Sequence, residues 1–353
     1  MDTVRTANIF LLIVALLALG AILKLAQSVF IPLLIALLLS YVMDPLMLVL
    51  RRALPVWLAT TITALVFLGV LTGFGILAWV NIAALGRGLP LYQEELLQLA
   101  RGVEAWLQAT VGTPLEIELD LTALAELGAV SIPSFMLSTA RSTVSVLLAF
   151  LMVYLFAVLF LAGKHYFPRK LVRAFPRTAT GQQSPVLVIL KHIDDSLRRF
   201  IAMKTVISVA VGGATGIVAA LFGVAFPVAW GLLTLVLNFI PYVGSVSAVI
   251  ALSVFALAQF GAWAPALGVF LCALALQTLT GSIAEPALLG DRLNLSLLVV
   301  FVSLLFWGWL WGPPGILLAV PMTAAVKVIL ENIPVTARLA TLLEGSRDTT
   351  RLG

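Results

Sequence analysis

Long apolar runs recur along this chain, each close to the length that crosses a bilayer and each closed by a short polar or glycine/proline break. About 20 apolar residues in a helix cover about 30 Å of hydrocarbon. Eight such segments are read, at 7–26, 29–50, 56–80, 143–163, 203–223, 263–281, 294–311 and 314–331. The pattern therefore predicts an all-α, polytopic membrane protein. Trp57, Trp79, Trp263 and Trp311 fall near predicted span ends, where amphipathic rings favour the interface. The first run follows a single arginine, Arg5, and has no small-residue cleavage site leading into a polar start. It is read as a retained span rather than a signal peptide.

One apolar region breaks the rule. Between 227 and 260, two half-length runs, 228–240 and 245–260, flank Asn238-Phe239-Ile240-Pro241-Tyr242-Val243-Gly244-Ser245. Proline removes a backbone donor and glycine loosens the chain. A helix broken at membrane depth frees peptide groups that lipid cannot satisfy, so the break must face protein or a wet cavity. The expectation is a helical hairpin with a sheltered tip; two short spans joined by a surface turn give the same topology.

Two polar segments separate the spans. Residues 88–110 carry Leu96, Leu99, Val103 and Leu107 on one helical face, and Gly112-Thr113-Pro114 ends it. Leu115, Ile117 and Leu119 then alternate with Glu116 and Glu118, and Asp120 suits the cap of a short helix over 121–128. Residues 185–202 read as a second amphipathic helix, with Ser184 as N-cap and Pro185 in the first turn. Leu190, Ile193, Leu197 and Phe200 form its stripe, and Asp194–Arg198 and Asp195–Arg199 stand at i,i+4.

Composition agrees with the pattern. The chain is 62% hydrophobic and 10% charged, against about 45–50% and about 25% in ordinary globular domains. Charge then sets orientation. Residues 164–204 hold nine Lys/Arg and two Asp, net +7, whereas 81–141 hold three Arg and seven acids, net −4. Positive loops stay inside, so both termini are expected in the cytoplasm and 81–141 outside. The resulting organisation is transmembrane helices 1–3 over 1–80, an extracytoplasmic helical segment over 81–141, helix 4 over 142–163 and a basic cytoplasmic linker over 164–204. A transmembrane core over 205–331 contains the hairpin 227–260, and a cytoplasmic tail covers 332–353.

Candidate chemistry is sparse. Cys272 is the single cysteine, and the two histidines, His165 and His192, lie in the charged stretch. No metal site or cofactor is expected. The arginines near His192 are balanced by local acids and flanked by spans, so nucleic acid is not an expected partner. An intramembrane enzyme needs a positioned nucleophile and base, and no span carries that set. Charges inside spans are rare and functional by default. Asp44 lies at the inner end of span two, and Lys327 and Glu331 form an i,i+4 pair near the end of span eight. Uncharged polar groups are more telling: Asn238, Tyr242, Ser245 and Ser247 at the break, and Gln277, Thr278, Thr280 and Ser282 at the end of span six. Glu285-Pro286, Asp291, Arg292 and Asn294 follow. Asn238, Pro241, Tyr242, Gly244, Ser245, Gln277, Thr280, Glu285 and Pro286 are therefore the candidate solute-binding or gating residues, and Asp44, Glu285 and Asp291 the candidates for ion coupling. Gly212 and Gly216 suit close helix packing.

The C-terminal half resembles the AI-2E family, the autoinducer-2 exporter-like bacterial permeases. Phe239-Ile240-Pro241-Tyr242-Val243-Gly244-Ser245 is similar to that family's Pro-x-x-Gly hairpin motif. Glu285-Pro286-Ala287-Leu288-Leu289-Gly290, Leu293-Asn294-Leu295, and Phe306 to Gly315 running into Leu318-Ala319-Val320-Pro321 match further blocks, and Pro32 and Asp44-Pro45 fit the first pair of spans. The resemblance covers nearly the whole chain. It implies transport across the inner membrane, in the direction of export and of a small polar solute, and a homo-oligomeric assembly. Some relatives are associated with sodium/proton antiport. Members often carry an acidic residue shortly before the loop proline, where this chain has Thr280.

Overall fold

The computed structural model describes residues 20–92, 132–164, 185–285, 295–332 and 336–343, with scattered positions near 14–18, 94–102 and 170–173. Helices dominate: α1 (Gln27–Leu50), α2 (Val56–Gly88), α3 (Ile132–Gly163), α4 (Pro185–Leu221), α5 (Pro227–Leu237), α6 (Val243–Phe260), α7 (Trp263–Leu279), α8 (Leu297–Trp311), α9 (Pro313–Glu331) and the short α10 (Ala337–Leu342). Six of the described helices are long and apolar enough to cross a membrane: α1, α2, α4, α6, α7 and α9. The apolar part of α3, α5 and α8 are shorter. The chain is an all-α, polytopic membrane protein.

Several boundaries differ from the sequence reading. α2 runs on to Gly88 and passes into a 3-10 turn, Leu89–Tyr92. α3 begins at Ile132, well ahead of its apolar run. The amphipathic stretch 185–202 and the fifth span form one helix, because no proline or glycine separates them before Gly212. The arms of the 227–260 hairpin are unequal. At about 1.5 Å per residue, α5 with 11 residues is half a span, whereas α6 with 18 nearly covers a whole one. Half of the first span, 7–26, lies outside the described residues, as do all of 103–131.

The chain divides into two compact units. The first comprises 1–65, 148–203 and 289–353; the second comprises 66–147 and 204–288. In the first unit, α8 and α9 form a tight helical hairpin. Gly312 turns it at φ 65° and ψ −147°, a region close to glycine-only, and Pro313 opens α9 where a missing donor costs nothing. A β-carbon at Gly315 would lie 1.9 Å from the Trp307 carbonyl oxygen. Trp307 Nε1 donates to Thr323 Oγ1 at 3.1 Å. The Trp-Gly-Pro-Pro-Gly block is therefore turn-building. Trp311, expected at an interface, is instead buried, and its indole donates to Leu23 O at 3.0 Å. Trp57, Trp79 and Trp263 do lie exposed on the chain.

In the second unit, α4, α5, α6 and α7 pack around a dry end. Ala219 of α4, Trp230 of α5, Val249, Leu252 and Phe255 of α6, and Ala266, Val269 and Ala273 of α7 form one apolar cluster. Phe255 packs against Trp230 at a tilt of 47°, with ring centres 5.1 Å apart, and against Tyr92 in a T-shaped pair at 5.2 Å. Lipid is as apolar as these side chains, so close van der Waals fit holds such helices together. Small residues supply that fit between α4 and α5. A β-carbon at Gly212 would come within 2.7 Å of Gly231 O, and one at Gly216 within 3.3 Å of Pro227 O.

Candidate functional site

The same four helices become polar toward their other end. α4 carries Lys204 and Ser208, α5 ends in Thr234 and Asn238, α6 begins near Ser245, and α7 closes with Gln277 and Thr280. Lys204, Ser208, Thr234, Asn238, Gln277 and Thr280 are all buried.

Asn238 sits at the hairpin break, 1% exposed. Its Nδ2 donates to Ser208 Oγ at 3.0 Å, and its Oδ1 accepts from Ser245 Oγ at 3.5 Å. The break is compact. Val243 N donates to Pro241 O at 2.7 Å across Tyr242, whose φ is 60° and ψ −60°. That is a γ-turn of the strained kind. Gly244 follows because nothing larger fits: a β-carbon there would stand 1.8 Å from Leu237 O. Tyr242 itself points outward, 53% exposed. Of the predicted residues, Asn238, Pro241, Tyr242, Gly244 and Ser245 thus come together, with Asn238 facing the interior.

The end of α7 contributes a second element. Ala266, Val269, Ala273, Gln277 and Thr280 lie on one buried face at helical spacing. Residues Thr280–Ala284 then form a π turn, closed by Glu285 N donating to Thr280 O. A continuing α-helix would put residue 284 on this face; the five-residue step puts Glu285 there instead. Glu285 Oε1 forms a close ion pair with Lys204 Nζ. The Lys204 side chain is 2% exposed, so the pair is a costly feature for a span to carry. Lys204 and Ser208 are one turn apart on α4, so successive turns of one helix hold Glu285 and Asn238.

Gln277 is the outlier. Its residue is 8% exposed, and Oε1 has no hydrogen-bond partner. Thr280 Oγ1 donates back to Leu276 O at 2.7 Å. Pro286 and Asp291 lie outside the described residues, as do Arg292 and Asn294. Sequence reasoning missed Lys204 and Ser208. Both sit in a helix that reads as an interfacial stripe passing into an ordinary span. The available signal was their i,i+4 spacing ahead of Gly212 and Gly216, also at i,i+4.

Asp44 belongs to the first unit and to a different network. Lys164 Nζ approaches Asp44 Oδ2 at 2.8 Å and lies 3.5 Å above the centre of the Tyr41 ring, and Arg198 Nε is 3.8 Å from Asp44 Oδ2. Tyr41 Oη donates to Asp194 Oδ1 at 2.7 Å. Asp194 and Arg198 therefore engage α1 rather than each other. Burial pushes the Lys164 ammonium down from its ordinary range, against the opposing pull of Asp44. Lys327 and Glu331 pair as their spacing suggests, at 3.3 Å. Among the described residues, no cluster of His, Cys, Asp and Glu is arranged to hold a metal ion.

A broken apolar helix and a buried polar face among membrane-crossing helices describe a membrane protein of the transporter class. The comparisons make that specific. The sequence model of the AI-2E family transporter matches residues 10–335, and this chain belongs to that family. It is 31% identical over 325 residues to the AI-2 transport protein TqsA of Escherichia coli, covering 91% of this chain and 90% of that protein. It is 29% identical over 347 residues to a "Putative transport protein" of Borreliella burgdorferi, covering 97% and 92%. A Haemophilus influenzae protein with the same description is 31% identical over 336 residues, covering 92% of each. The chain is a transporter of the permease type and a multi-pass protein of the bacterial inner membrane.

Proposed function

We propose that this chain is a secondary transporter that exports a small polar solute, autoinducer-2-like or a related metabolite, by alternating access. In this reading the hairpin α5–α6 and the end of α7 form the solute site. The observation that carries it is the pair of buried polar residues on adjacent turns of α4, Ser208 bonded to Asn238 and Lys204 paired with Glu285. Such groups are costly at membrane depth even when paired, and where spans carry them they mark solute or ion pathways. The course of α4 supports that depth. Gly216 meets Pro227, Gly212 meets Gly231, and Ser208 meets Asn238, so the hairpin descends α4 turn by turn. From Leu221 to Ser208 is about 20 Å of helix, against about 30 Å of hydrocarbon. With 164–204 inside and both termini cytoplasmic, the break then lies within the bilayer. Assembly into homo-oligomers is part of the same reading.

The test is flux together with accessibility. Reconstituted protein should move solute, and Asn238→Leu should abolish movement without changing assembly. On a Cys272→Ser background, Ile240→Cys should react slowly with a membrane-impermeant thiol reagent and faster when solute is supplied. Unchanged flux in Asn238→Leu removes the hairpin from the mechanism. Rapid, solute-independent labelling from outside places the break at the surface.

A second reading, a sodium (cation)/proton antiporter, is favoured by one observation: Glu285, partly exposed and paired with the buried Lys204, supplies a titratable acid on the polar face. It requires sodium-dependent proton movement in vesicles and its loss in Glu285→Gln. Asp44 and Asp291 are its other candidate acids.

A further inference from the structure

The dry end of the second unit is crossed by a short loop, 222–226, which joins α4 to α5 and touches α2, α6 and α7. A β-carbon at Gly268 of α7 would lie 2.6 Å from the Phe222 ring. Gln259 of α6 holds the loop backbone at two points. Its Nε2 donates to Gly223 O at 2.8 Å, and its Oε1 accepts from Ala225 N at 2.7 Å. Gly88, at the end of α2, leaves no room for a β-carbon against the Phe226 ring. Phe226 and Phe255 lie with ring centres 6.2 Å apart. Tyr92, which ends the turn after α2, pairs with the same Phe255.

Phe226 is the strained point of this loop. Its φ of 60° and ψ of 47° are left-handed, an outlier for a bulky side chain. Gly223 is left-handed too, at φ 71°, where glycine is at ease. Strain of this kind persists only where the surroundings over-determine it, and it gathers at switches. The surroundings are the Gly88–Phe226 fit and the two bonds of Gln259. The bond to Gly223 is exposed, so water can take its place when the loop lifts. Beneath the loop, Trp230 lies in the dry cluster, and Thr234 follows one turn on in α5 as a buried polar residue.

We infer that the loop 222–226 is the extracytoplasmic gate, with Phe226 and Phe255 as its plug and Tyr92 as the latch that holds it shut. This rests on the alternating-access reading and the orientation proposed above, and adds the part that moves. Opening withdraws Phe226 from Gly88 and lets its backbone leave the left-handed region.

The experiment uses full-length protein on a Cys272→Ser background in spheroplasts. Thr234→Cys is the reporter, and a charged, membrane-impermeant methanethiosulfonate added outside is the probe. With the gate intact the thiol should react slowly. Tyr92→Ala removes the latch, and Gly88→Ala wedges the Phe226 ring away. Each should speed the reaction by at least about tenfold, as loss of a buried aromatic contact shifts the closed population. Leu252→Ala empties a fully buried position of the same cluster without touching the latch, and should leave the rate unchanged. An unchanged rate in Tyr92→Ala or in Gly88→Ala overturns the inference, whatever a flux assay shows. An equal rise in Leu252→Ala overturns it as well, because any loosening of the cluster would then admit the reagent. The expected rates in a protein that moves no solute would support the gate and count against the transporter reading alone.

Discussion

Asn238 Nδ2 donates to Ser208 Oγ across 3.0 Å, and through this bond the break of the hairpin is tied to the middle of α4. The same amide accepts from Ser245, so one side chain joins α4, α5 and α6. Ser208→Ala leaves the buried Nδ2 without its partner and should cost about 1–3 kcal/mol. Adding Asn238→Leu to Ser208→Ala replaces both partners and should restore most of that stability. Flux should stay low in both variants. Denaturation midpoints with parallel transport assays check this; a double variant that recovers transport would make the bond purely structural.

Gly212 and Gly213 are neighbours in sequence with opposite surroundings. A β-carbon at Gly212 would meet Gly231 O and Leu235 at 2.7 Å, whereas one at Gly213 meets nothing within 4 Å. Gly212→Ala should force α4 and α5 apart and cost about 1–3 kcal/mol. Gly213→Ala should be neutral or stabilising by up to about 1 kcal/mol, the difference in helix propensity. Equal Tm values for the two variants would refute the close approach.

Lys204 and Glu285 should behave as a unit. Glu285→Gln leaves the buried Lys204 ammonium poorly compensated and should cost about 3–5 kcal/mol, whereas Lys204→Met leaves a Glu285 that is partly exposed and should cost less. Lys204→Met combined with Glu285→Leu should recover stability, because a well-packed apolar pair replaces a buried ionic one without penalty. A double-mutant cycle on Tm measures the coupling. Additive losses would show that the two charges do not pair.

The helical class, the break at 238–242 and the polar character of Asn238, Gln277 and Glu285 were legible from apolar runs and from the positions that interrupt them. The Pro-x-x-Gly spacing is now physical: Gly244 is required by Leu237 O, as Gly315 is by Trp307 O. The π turn was not legible, because the sequence Thr280-Gly281-Ser282-Ile283-Ala284 also fits the end of an α-helix. That single-residue change of phase is what sets Glu285 on the buried face, and with it Lys204. Trp311 was misread because amphipathic position cannot distinguish an interfacial indole from one that finds a carbonyl inside the fold.

Tyr242 offers the sharpest separation of strain from chemistry. Its φ of 60° and ψ of −60° cost a non-glycine residue about 1–3 kcal/mol, and the residue is about half exposed. Glycine adopts that conformation without the steric penalty. Tyr242→Gly should therefore raise the denaturation midpoint by relieving the γ-turn, while Tyr242→Ala keeps the strain and should not. If the strained turn is what allows the hairpin to switch between two arrangements, transport should fall in Tyr242→Gly and remain in Tyr242→Ala. Equal flux in both would confine Tyr242 to building the turn. A fall in both would assign the loss to the missing phenol, leaving the backbone out of the switching step.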